Sequence, residues 1–162
     1  MAWTMKVDGM EELSEMLSQM SERAEGVAAG ALYDGAGIMR GEIAQGAANI
    51  KTAPFKYARS GQTRLPSPEE KAIVEAASVG IAKFNKNGGE VDTSVGFKNA
   101  GYTQLKNKTV PIPKIVNAIN SGTSFMKKQP FVRKAASAAA PKAMEAMRKY
   151  IETEFEAIRK EH

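Results

Sequence analysis

A chain of 162 residues has room for one domain of ordinary size and not for two full ones. It contains no cysteine, which excludes a disulfide framework and a thiolate metal site and fits a reducing compartment such as the cytoplasm. The formal charge is +5. No stretch approaches the roughly 18 apolar residues that crossing a bilayer needs, and Met1 to Met10, with Lys6 and Asp8, lacks the apolar core of a secretion signal. A soluble protein with no membrane partner is expected.

Along the chain, Trp3, Met5 and Val7 alternate with polar or small residues and predict a short strand or extended lead-in. Asp8 can cap a first helix, with Glu11 at the capping-box position and Met10, Leu13, Leu17 and Met20 on one face. A second helix is predicted from about Glu22 to Ile50, where Leu32, Ala36, Met39, Ile43, Ala47 and Ile50 recur at spacings of three and four. Glycines at 26, 30, 35, 37, 41 and 46 weaken that helix by up to about 1 kcal/mol each. Two readings stand side by side: a close helix contact within the subunit or between copies, and a kink or break near Gly35 to Gly37.

Lys51 to Pro68, with Pro54, Gly61, Pro66 and Pro68, reads as a long loop that orders on whatever it meets. Lys71 to Phe84, then Val91, Thr93, Val95 and Phe97, predict an antiparallel hairpin turning at Asn87-Gly88-Gly89. No P-loop or dinucleotide pattern follows those glycines, so a turn is the reading and a phosphate cradle is not. Lys98 to Pro113 reads as a second extended loop, because Pro111 and Pro113 exclude a regular helix across it. A short helix is predicted over Lys114 to Asn120, a turn at Ser121-Gly122-Thr123, and a last helix from Pro130. The stripe of that last helix is Phe131, Ala135, Ala139, Ala143, Met147, Ile151, Phe155 and Ile158, and Pro141 should kink or split it. The fold class is therefore α+β, one domain over 1–162. A small antiparallel sheet packs against a long helix in the N-terminal half and a long C-terminal helix, with extended loops at about 51–68 and 98–113.

Catalytic constellations are missing from the chain. The only histidine is the terminal His162, and Asp8, Asp34 and Asp92 are scattered outside metal-ligand spacing. Ser60-Gly61 and Ser121-Gly122 lack the context of a nucleophile elbow. A pair of catalytic carboxylates is nominated by nothing in the pattern, and neither an enzyme nor a cofactor is expected.

Charge is patterned instead. From Thr93 to Met144 there is no acidic residue, while Lys98, Lys106, Lys108, Lys114, Lys127, Lys128, Arg133, Lys134 and Lys142 lie inside the window. It reads first as a solvated or subunit-facing surface and second as one that attracts phosphate. Lys56, Arg59, Arg64, Lys106, Lys108, Lys127 and Lys128 are the candidate interface or phosphate-facing residues.

Two segments carry a resemblance. Val7-Asp8-Gly9-Met10-Glu11-Glu12-Leu13 looks like the opening of the tail-component family of long-tailed bacteriophages, a short strand and Gly-containing turn leading into a helix. Ile115 to Thr123, followed by Gln129-Pro130-Phe131-Val132-Arg133-Lys134-Ala135, resembles that family's Gly-Thr turn, Pro-Phe step and helix. Asn120 and Ser121 stand where that family usually has an acidic and an aromatic residue, and its Thr-Gly-Leu segment survives only as Ser60-Gly61. The resemblance implies a structural virion protein, a tail-completion or neck subunit made in the host bacterial cytoplasm. It also implies assembly with itself as a ring, hexameric in the family, against tail-tube, terminator and head-connector proteins, with DNA passing. Gly9, Leu13, Gly122, Thr123, Pro130 and Phe131 are its motif residues, and their expected roles are conformational: a turn, a helix start, a core anchor. A nucleic-acid-binding protein using the acid-free window is the alternative.

Overall fold

The computed structural model describes residues 10–77, 79–87, 90–97 and 100–161. The lead-in strand and Gly9 lie outside them; Leu13 lies on a helix, but its side chain is outside the description. The predicted α+β class is observed: two long helices carry three short two-stranded antiparallel ladders and two shorter helices.

The two predicted N-terminal helices are one, α1, Met10–Ala48. No break falls at Gly35 to Gly37, because the partner helix α4, Phe131–Lys160, runs antiparallel alongside and holds it. Partners step in opposite directions: Arg23 meets Glu161 at 3.1 Å, and Glu42 meets Lys142 at 2.6 Å. Three of the α1 glycines make this approach possible. A Cβ on Gly30 would run into the Tyr150 ring and hydroxyl, one on Gly35 would come within 3.0 Å of Met147, and one on Gly46 within 3.2 Å of the Phe131 carbonyl oxygen. The close contact expected of the glycines is thus made within the subunit.

The segment read as the first arm of a hairpin begins instead with a helix, α2, Pro68–Ala76. The Ser67 hydroxyl accepts a hydrogen bond from the Glu70 amide at 3.2 Å, Pro68 sits in the first turn where its missing N–H costs nothing, and Glu69 and Glu70 face the helix dipole. The hairpin follows. β1, Gly80–Ile81, and β2, Asn85–Asn87, pair with β4, Val95–Gly96, and β3, Glu90–Asp92, respectively. Asn87 opposes Glu90, as a turn at residues 88–89 requires. Between the two ladders residues 82–84 stand against residues 93–94, one extra on the first arm, which is the count of a bulge.

The 98–113 stretch is not an extended loop. It folds as a second hairpin, β5, Tyr102–Leu105, with β6, Lys108–Pro111, turning on Lys106 and Asn107 at φ 49° and 63°. Positive φ at both central residues is what a two-residue turn needs to match strand twist. Pro111 and Pro113 do not prevent a helix immediately afterwards: α3, Ile112–Ser121, carries Pro113 in its first turn. Pro141 does not split α4, which continues through it while Ala139 and Ala143 stay buried on either side.

The core gathers Ile43, Ala47 and Ile50 of α1, Val74 of α2, Ile115, Val116 and Ile119 of α3, and Phe131 and Ala135 of α4, with Phe97 and Met126. The predicted α4 stripe is buried at Phe131, Ala135, Ala139, Ala143 and Ile158, but Phe155 is 39 % exposed. All of this sits where the C-terminal end of α1 meets the N-terminal end of α4. The remainder of the helix pair, toward Arg23 and Glu161, is held chiefly by helix on helix.

Candidate functional site

The connection from α3 to α4 is built by short-range chemistry. Gly122, at φ 75°, turns the chain where a Cβ would lie 2.9 Å from that of Lys128. Thr123 then closes the turn: its Oγ1 accepts from the Met126 amide at 2.9 Å and the Phe125 amide at 3.3 Å, and its own amide donates to the Met126 carbonyl at 3.0 Å. The Asn120 side chain accepts from the Val132 amide at 3.1 Å, satisfying one of the free donors at the start of α4. Phe131 is buried edge-on against Phe97, with ring centroids 6.3 Å apart. Thr123→Val should therefore lower stability by roughly 1 kcal/mol, the net worth of the hydrogen bonds lost at an exposed turn. A thermal melt beside the native protein reads it.

Residues 51–67 form no regular ladder, as predicted, but the chain itself fixes their backbone. The Gln129 side chain clasps Lys51, accepting from its amide and donating to its carbonyl, both at 2.9 Å. Arg64 bridges to Met126: the Arg64 amide donates to the Phe125 carbonyl and the Lys127 amide to the Arg64 carbonyl, each at 2.8 Å. The expectation that this loop orders only on a partner is corrected by these bonds within the subunit.

These contacts enclose a cleft of about 680 Å³ between the end of α1 and the start of α4. Ile50, Leu65, Phe131, Ala135 and Ala138 give it apolar lining, and Lys51, Lys127, Lys128, Lys134 and Lys142 line it with charge. Lys142 is tied to Glu42 across the two helices, whereas Lys51, Lys127, Lys128 and Lys134 are exposed and in no ion pair among the described residues.

The candidate cations divide. Lys127 and Lys128 line the cleft; Lys56 and Arg59 are exposed on the 51–67 segment, and Lys108 on β6. Arg64 is not available: its guanidinium makes a two-pronged bond to Glu70, at 2.7 and 3.2 Å, and donates to the Leu65 carbonyl. Lys106, at the tip of the second hairpin, places its ammonium on the Phe55 ring, with Tyr57 beside it. Desolvation there holds its pKa below the ordinary lysine value. Repulsion from Arg64 adds to this, and Glu70 and Glu69 oppose it. Sequence reasoning did not nominate Lys51, Gln129 or Glu42 for the cleft, and no local pattern marks them.

No protein-family model, curated protein or solved structure matches the chain. Among the described residues no three His, Cys, Asp or Glu side chains gather as a metal site, and no helix is long and apolar enough to cross a membrane.

The antiparallel pairing also redistributes charge. Residues near the two ends of the sequence come together, so Glu22, Glu25, Glu152, Glu154, Glu156 and Glu161 share one end of the helix pair, while the lysine-lined cleft occupies the other. What was acid, base, acid along the chain becomes two poles in space.

Proposed function

We propose that this protein is a structural subunit of a long-tailed bacteriophage or prophage particle, a tail-completion or neck component that assembles as a ring at the head-proximal end of the tail. Its work is assembly, not turnover. The observation that carries the reading is that the segment resembling the tail-component family, Gly122 through Phe131, is the wall of the basic cleft, held by Thr123, Asn120 and Gln129 in one conformation. Conformational residues at the motif positions and free charge beside them are what a subunit needs to present a fixed surface to a neighbour. Deleting the gene in the producing phage should leave filled heads and unjoined or aberrant-length tails in electron micrographs of the lysate. Intact particles would sink the reading.

The four cleft lysines outside the described ion pairs favour one second reading, nucleic-acid binding through phosphate contacts whose affinity falls steeply with salt. Fluorescence anisotropy with random duplex at two salt concentrations tests it, and absence of binding near physiological salt removes it.

A further inference from the structure

We infer that the basic cleft is the socket for the acidic end of the helix pair of a second copy of this chain, so that copies join head to tail. The inference deepens the assembly reading and rests on it only in requiring that copies meet.

Three features lead to it. The first is an unbalanced socket: Lys51, Lys127, Lys128 and Lys134 converge on one cleft, and the only carboxylate lining it among the described residues, Glu42, is already taken by Lys142. Four ammonium groups held this close repel one another, and an incoming set of carboxylates relieves that cost. The second is an unbalanced plug. At the far end of the same helices Glu22, Glu154 and Glu156 carry no ion pair among the described residues, and Glu161 has only the half-exposed Arg23.

The third is distance. Between the Arg23–Glu161 contact and the start of α4, the pair runs for more than twenty residues, roughly 35 Å at 1.5 Å per residue. That is several times the screening length of about 8 Å at physiological salt. Within one molecule the two poles neither touch nor sense each other, and the complementarity can be satisfied only between molecules.

A protein occupant also suits the cleft better than nucleic acid does. Its apolar lining, Ile50, Leu65, Phe131 and Ala138, suits the aliphatic stems and apolar neighbours of glutamates on a helix end, Phe155 among them, and not a phosphate backbone. The contact is heterologous, joining different surfaces of the two copies, and such contacts make rings when the rotation closes and filaments when it does not.

Paired charge reversal tests this in the full chain. K127E/K128E converts the socket, and E154K/E156K converts the plug. Sedimentation at low salt should show the native protein assembling and each variant alone at least about tenfold weaker in self-association, since like charges then face each other. Mixing the two variants should restore assembly, because each then offers the other a matching plug and socket; that recovery excludes misfolding as the cause of the loss. Native protein that stays monomeric, variants that assemble like the native chain, or a mixture that fails to recover would each overturn the inference. So would random-duplex binding that K127E/K128E abolishes while the assembled mass is unchanged. Introducing K127E/K128E into the phage separates this failure from that of the broader reading. Intact particles from the variant, with separated heads and tails from the gene deletion, would leave the tail role standing and remove the socket.

Discussion

Arg64→Ala should be among the most damaging single changes in this protein, costing about 3 to 5 kcal/mol of unfolding free energy, the range for removing one partner of a buried pair. The Glu70 side chain is 3 % exposed and that of Arg64 16 %, so the pair is screened poorly by solvent. The pair joins elements: Glu70 lies in the first turn of α2, and Arg64 lies in the segment whose backbone bonds to Phe125 and Lys127. With the guanidinium gone, a carboxylate is left in the protein interior with only the ends of peptide dipoles to face. The guanidinium also stands 4.9 Å over the Phe55 ring, so its loss removes a packed plane as well as a charge. Urea unfolding of Arg64→Ala, of Glu70→Ala and of the double variant reads the coupling directly. The double variant should be less destabilised than the sum of the singles by more than about 1 kcal/mol, since neither charge is then stranded. A single-site cost below that figure would show that water reaches Glu70 and that the pair is ornamental.

The same residue shows why parts of the fold are legible in the sequence and parts are not. Arg64 looks like a free cation in a basic, proline-rich loop, and its acidic partner is only six residues away, but the pair becomes visible once Ser67 and Pro68 are read as a helix start. That signal, Ser67 capping onto Glu70, is outweighed in the sequence by Ile73, Val74 and Val79, whose β-branched side chains read equally well as strand. The second hairpin is hidden for a related reason. Its turn is Lys106-Asn107, with none of the glycines that announce such turns, and Pro111 and Pro113 at its end read as loop. The long elements are legible because periodicity over many turns is hard to mimic: the faces of α1 and α4 bury the residues their spacing nominates, from Ile43 and Ala47 to Ala139 and Ile158. Of the candidate surface, the acid-free window locates Lys127 and Lys128, which converge with Lys134 and Lys142. The cleft itself depends on Gln129 holding Lys51, a contact 78 residues apart in the chain, and no local pattern encodes such a distance.

The α1 glycines should separate into two classes on substitution. At Gly26, Gly37 and Gly41 an added Cβ would meet nothing within 4 Å, so nothing inside the subunit requires them. Replacing all three by alanine should raise unfolding free energy by about 2 to 3 kcal/mol, through helix propensity and a less free unfolded chain. Gly46 behaves oppositely. Its neighbour is the backbone carbonyl of Phe131, which cannot rotate away as a side chain can, so Gly46→Leu should push α4 off α1 at the core and cost about 1 to 3 kcal/mol. Denaturant titration of the triple variant and of Gly46→Leu checks both signs, and destabilisation by the triple would show that those glycines serve the monomer. If the triple variant is more stable and yet fails to self-associate, the unneeded glycines have a use that only the assembled state reveals. Gly37 and Gly41 line a second shallow cleft beside Val74, Val79 and Phe97, and there the missing side chains leave α1 open to close approach by a neighbour. A cost of this size retained in a single helix without benefit to the subunit is then best accounted for by contact between copies, the same event that the two charged poles require.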